Sequence, residues 1–65
     1  MSKETEFLIY CMERYRYIKG LSGAETARLF DRHEIYSYVN KYFEVLHTLS
    51  DQMIVQDIDE YIAGS

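Results

Sequence analysis

The stretch Lys19-Gly20-Leu21-Ser22-Gly23-Ala24-Glu25 decides the fold. Gly20 follows a run of apolar residues at helical spacing, where a left-handed helix-ending residue belongs. Ser22 and Glu25 then form the S-x-x-E pattern of a capping box, in which each residue satisfies the other's backbone N–H. One helix therefore stops and another starts within a few residues. There is no proline in the chain, so nothing else forces a break of this kind.

Upstream of the joint, Phe7, Leu8, Cys11, Met12, Tyr15 and Ile18 recur at helical spacing, which predicts a first helix over Lys3–Lys19. Ser2 is a suitable N-cap, and Glu4 and Glu6 suit the positive end of the helix dipole. Arg14, Arg16 and Lys19 suit the other end. Ile9 and Tyr10 widen the apolar arc, either to face a partner or to pack under a neighbouring helix. Downstream, a short second helix is predicted over Gly23–His33, with Ala24, Ala27 and Phe30 on one face and Leu29 beside it. After a break near His33-Glu34, Ile35, Tyr38, Val39 and Tyr42 mark a third helix. Phe43, Leu46 and Leu49 either extend it or start a separate turn. Thr48 and Ser50 are both plausible caps for a last helix over Asp51–Ala63, stopped by Gly64. Met53-Ile54-Val55 could instead form a short strand, but no partner strand stands out elsewhere. The expectation is an all-α fold, a compact bundle of about four short helices forming one domain over residues 1–65.

Size and charge narrow the function. A domain of 65 residues has little surface to bury, and such domains commonly lean on disulfides, metals or oligomerisation. Cys11 is the only cysteine, so no internal disulfide can form. Neither histidine has the His-x-x-x-His spacing that puts two ligands on one helical face, so no metal or other cofactor is expected. Association is the remaining aid, as a homodimer or with a larger protein. Seven tyrosines suit both a wet-edged core and an interface. The longest early apolar run, Phe7–Met12, is too short for a signal peptide or a membrane span. With a lone thiol, it points to the cytoplasm and to no membrane partner.

The net charge is −4, and Asp51, Asp57, Asp59 and Glu60 fall in a last segment with no Lys or Arg. Nucleic acid is a poor partner for such a chain, because phosphate binding needs a basic stripe. Residues 22–43 nevertheless have the outline of a helix-turn-helix, the alternative reading. Its turn, Asp31-Arg32-His33-Glu34, lacks glycine. Its second helix carries Glu34, Tyr36, Ser37, Asn40, Lys41 and Glu44 and is nearly neutral. An enzyme is not expected, since so small a helical chain has little room for a concave pocket of convergent polar groups.

The candidate contact residues are Tyr17 and Tyr36, which fall off the apolar stripes, and Asp57, Asp59, Glu60 and Tyr61 of the last helix. For the acids, a solvated face ranks ahead of partner docking. For the tyrosines, exposed interface anchors and rings without a partner weigh equally. His47, at a helix end, reads first as a polar structural residue and second as a partner contact. Cys11 reads as a small buried hydrophobe.

At Leu21-Ser22-Gly23-x-Glu25-x-Ala27-x-Leu29-Phe30, then Leu46-His47-Thr48, then Asp57-Ile58, the chain resembles a family of small bacterial domains of unknown function. The resemblance spans nearly the whole chain. Members are often encoded beside proteins that look like ADP-ribosyltransferase toxins, so the resemblance implies an antitoxin-like or accessory role. It carries no catalytic residue onto any position. The combined expectation is a small non-enzymatic protein–protein interaction module.

Overall fold

The computed structural model describes residues 2–64. Five helices follow one another among these residues: α1 (Lys3–Lys19), α2 (Gly23–Arg32), α3 (Ile35–Lys41), α4 (Phe43–Leu46) and α5 (Asp51–Gly64). All-α architecture is as expected, with the count raised by the single turn of α4.

The α1–α2 joint is built as its sequence dictates. Gly20 sits at φ 69° and ψ 34°. Its N–H donates to the Tyr17 carbonyl at 3.3 Å, and the Leu21 N–H donates to the Arg16 carbonyl at 2.9 Å. This pair of bonds satisfies the last carbonyls of α1 in the Schellman manner. Two residues later the Glu25 N–H donates to Ser22 Oγ at 3.1 Å, and the Ser22 N–H donates to Glu25 Oε1 at 2.9 Å. At the other end of α1, Ser2 Oγ accepts from the Thr5 N–H at 3.1 Å.

The second joint has no glycine. Glu34 occupies the left-handed region itself, at φ 52° and ψ 42°, and no side chain caps α3. This conformation crowds a Cβ, and it turns the chain so that Ile35 and Val39 enter the core. A third break comes at Tyr42, whose ψ of 24° ends α3 and leaves Phe43–Leu46 as a separate turn. Before α5, Ser50 rather than Thr48 is the cap: its Oγ accepts from the Met53 N–H at 3.3 Å. Thr48 Oγ1 instead donates to the Val45 carbonyl at 2.7 Å. The strand alternative at Met53-Ile54-Val55 is corrected: these residues are helical. The reason is burial, because Ile54, Val55 and Ile58 all enter the core together, as helical i, i+1, i+4 spacing allows. Gly64 is the last residue of α5 rather than a stop outside it.

The core joins Cys11 and Tyr15 of α1 to Phe30, Ile35, Val39, Leu46, Ile54, Val55 and Ile58. In α2 the buried row is Thr26 and Phe30; Ala24 is exposed, contrary to expectation. Thr26 can be buried because its hydroxyl donates to the Ser22 carbonyl at 2.9 Å. Cys11 is fully buried, and burial pushes its thiol up to about 12. Among the described residues, no helix is long and apolar enough to cross a membrane.

Candidate functional site

The four acidic residues of α5 differ sharply in their surroundings. Asp51 accepts a hydrogen bond from the Tyr10 hydroxyl, and Arg14 approaches its other oxygen at 3.9 Å. Asp59 accepts from the Tyr15 hydroxyl at 2.6 Å and from Lys19 Nζ at 2.7 Å. These contacts come in the same order along both helices, so α5 runs alongside α1 in the same sense. On the other flank, Asp57 accepts from the Tyr38 hydroxyl at 2.5 Å. The segment without Lys or Arg thus receives its cations from α1, Arg14 at Asp51 and Lys19 at Asp59.

The electrostatics follow from these pairs. Burial raises the pKa of both Tyr15 and Tyr38, and their hydrogen bonds to Asp59 and Asp57 raise it further. For Tyr10 the leading cause of a raised value is its bond to Asp51. Burial alone would raise Asp59, but the bonds from Lys19 and Tyr15 and the Lys19 charge outweigh it and hold the carboxyl low. A phenol next to a carboxylate keeps its proton, and the carboxylate keeps its charge.

Asp57 and Glu60 are left without a cationic partner among the described residues. Glu60 is exposed and accepts from Gln56 Nε2 at 3.2 Å. The two acids rim a shallow depression of about 150 Å³ whose other walls are Leu49, Met53 and Gln56. Met53 is 53% exposed there. Across the Gln56–Glu60 ridge lies a wider groove of about 510 Å³, with Ile18, Val55 and Ala63 as its apolar part. Tyr61 is half-buried and stacks on Tyr38, with ring centroids 4.0 Å apart.

The two off-stripe tyrosines part company. Tyr17 is 71% exposed, with the Arg14 guanidinium 5.5 Å from its ring centroid. Tyr36 is half-buried against the core, edge-on to Phe30 at 6.1 Å. Expected as an exposed ring, it is instead only partly exposed, because the left-handed turn at Glu34 brings the start of α3 onto Phe30. His47 stacks on Phe43 at 4.7 Å, and its Nδ1 lies 2.7 Å from the Phe43 carbonyl oxygen, to which it donates. The structure therefore collects Asp57, Glu60 and Tyr61 on α5, ties Asp59 into the α1 seam, and leaves Tyr17 and Tyr36 on other helices.

Sequence reading missed Met53 and Val45 as exposed apolar residues. Met53 could have been found by placing Ile54 and Ile58 inward and reading which α5 positions face away. Ile9 and Tyr10, the excess of the α1 arc, remain partly exposed.

Comparison with known proteins adds one finding. Residues 6–64 match the model of a family described as a protein of unknown function (DUF3791). No curated protein and no solved structure matches the chain significantly.

Proposed function

We propose a function for this chain from the premise that it belongs to the DUF3791 family, whose description assigns none: it is a small non-enzymatic protein–protein interaction module. The finer reading is an antitoxin-like or accessory partner of a toxin-type enzyme, supported by the family resemblance of the sequence. The contact surface in this reading is the outer face of α5, around Met53, Asp57, Glu60 and Tyr61.

The observation that carries it is the pairing of exposed Met53 with two carboxylates, half-buried Asp57 and exposed Glu60, that meet no cation among the described residues. A flexible thioether adapts to a partner's apolar groups, and unneutralised rim charges steer a basic surface toward it. Asp59 does not belong to this surface, because Lys19 and Tyr15 already occupy both its oxygens. The helix-turn-helix alternative has a weaker basis. Its second helix, α3, spans only Ile35–Lys41, and Lys41 is the sole cation in it.

The test is to cross-link the tagged chain in its native host, identify the partner, and measure binding with both proteins purified. Association should slow with added salt, and Asp57→Asn with Glu60→Gln should flatten that dependence. An unchanged on-rate and salt dependence in the double variant would remove α5 as the contact face. Tight, salt-sensitive binding to random duplex DNA would favour the helix-turn-helix reading instead.

A further inference from the structure

A third concavity lies between the start of α1 and the start of α3, and it shares no residue with α5. It measures about 370 Å³ and is lined by Glu4, Thr5, Leu8, Tyr36, Ser37 and Asn40. The Thr5 hydroxyl accepts from Ser2 at 2.9 Å. The side chains of Glu4, Tyr36, Ser37 and Asn40 make no hydrogen bond or ion pair with any described residue. Four polar groups on two helices therefore line one hollow with no partner among the described residues; Glu4, Ser37 and Asn40 are exposed and Tyr36 is half-buried. Elsewhere in the fold, tyrosine hydroxyls near carboxylates are paired with them, as at Tyr10, Tyr15 and Tyr38.

The chemistry of the walls selects a ligand. Among the described residues the only charge lining the hollow is the Glu4 carboxylate, so an anion finds no described cation there. The remaining groups offer acceptor oxygens at several points: two hydroxyls and one carboxamide. The apolar part is Leu8, packed against the core, and the Tyr36 ring, whose edge contact with Phe30 at an interplanar angle of 71° fixes its plane. A compact ammonium could also reach these acceptor oxygens with its three donors, but it is strongly hydrated and has no flat face to lay on a ring. A guanidinium presents five N–H donors in one plane, can bind a carboxylate through two of them, and lays a weakly hydrated face on an aromatic ring. Its methylene stem can rest on Leu8.

We propose that this pocket binds a guanidinium group, presented by an arginine side chain, with Glu4 as its charge partner and Tyr36, Ser37 and Asn40 as the surrounding acceptors. The site is independent of the α5 surface, and either can fail without the other.

The test titrates N-acetyl-arginine methylamide into the isotope-labelled full chain and follows backbone amide shifts by NMR. Saturable shifts are expected at Tyr36, Ser37 and Asn40. The citrulline analogue, equal in shape but uncharged, should bind about tenfold more weakly or worse, as should Glu4→Gln with the arginine probe, since a charged hydrogen-bonding partner is lost in each case. Glu60→Gln should leave the arginine affinity unchanged, which separates this site from general acidity. Asn40→Leu, which fills the hollow without touching the charge, should also weaken binding. Agmatine serves as the free-guanidine arm: weaker binding than the peptide-like probe supports a protein arginine, and equal or tighter binding overturns that source. Absence of shifts at residues 36–40, or equal binding by the citrulline analogue, overturns the site.

Discussion

The Tyr15 hydroxyl and the Asp59 carboxylate meet at 2.6 Å although 44 residues separate them, and Lys19 holds the second carboxylate oxygen at 2.7 Å. This contact fixes the lateral position of α5 on α1. It also ties Asp59 into the fold, whereas its neighbour Glu60 stays exposed.

Tyr15→Phe should destabilise the domain by about 1–2 kcal/mol, because a part-buried hydrogen bond to a charged group is lost. Glu60→Gln should cost nothing measurable, as its carboxylate is exposed. Urea unfolding of the two variants beside the parent checks the contrast.

The pH dependence should have two limbs. The Asp59 carboxyl is held below its ordinary 3.8 in the fold. Its contribution is therefore present above that value and is lost as pH falls through the lower, folded pKa. Tyr15 and Tyr38 are held above their ordinary 10.0. Their contribution is complete below pH 10 and is lost as pH rises from there through the folded values. Tyr15→Phe should flatten the alkaline limb in thermal melts, and a limb unchanged by this substitution would contradict the assignment.

The two left-handed residues should respond oppositely to substitution. A Cβ at Gly20 meets no atom within 4 Å, so Gly20→Ala costs only backbone strain, about 1 kcal/mol after the unfolded chain's loss of freedom is subtracted. Glu34→Gly removes that same strain at the second joint. It should be neutral or stabilising by up to about 1 kcal/mol. Ser22→Ala should cost roughly 0.5–2 kcal/mol through loss of the cap. Chemical denaturation of the three variants gives the order.

Cys11 should be inert in the native protein. Its thiol is buried and its pKa is raised to about 12, so almost no thiolate exists near neutral pH. Labelling by a disulfide reagent should proceed only as fast as the domain opens, and urea should accelerate it strongly. Rapid labelling without denaturant would show that α1 is not packed as described.

What could be read from the sequence was local. The bounds of α1, the Gly20 conformation and the Ser22–Glu25 box depend on residues a few positions apart, and each is present in the fold. The pairing of Asp57 and Asp59 with tyrosines could not be read, because it depends on how α5 lies against α1 and α3. Four acids without a neighbouring cation suggested one solvated face; tertiary contact splits them. Tyr36 escaped for a related reason. Its place against Phe30 follows from a left-handed glutamate, a conformation that the residue type disfavours. The hollow around Glu4 and Asn40 joins residues about 36 positions apart and carries no periodic signal.

The position of α5 in the chain has a consequence for biosynthesis. All seven basic residues lie before position 51, balanced there by seven acidic ones, so Asp51, Asp57, Asp59 and Glu60 bring the entire charge of −4. The same helix brings Ile54, Val55 and Ile58, three of the nine apolar side chains of the core. Because translation is vectorial, residues 1–50 emerge with their charges balanced, and Tyr15 and Tyr38 lack their acceptors, until the ribosome reaches this helix. The net negative charge and the closure of the apolar centre thus arrive in one step, and a product cut short before Asp51 gains neither.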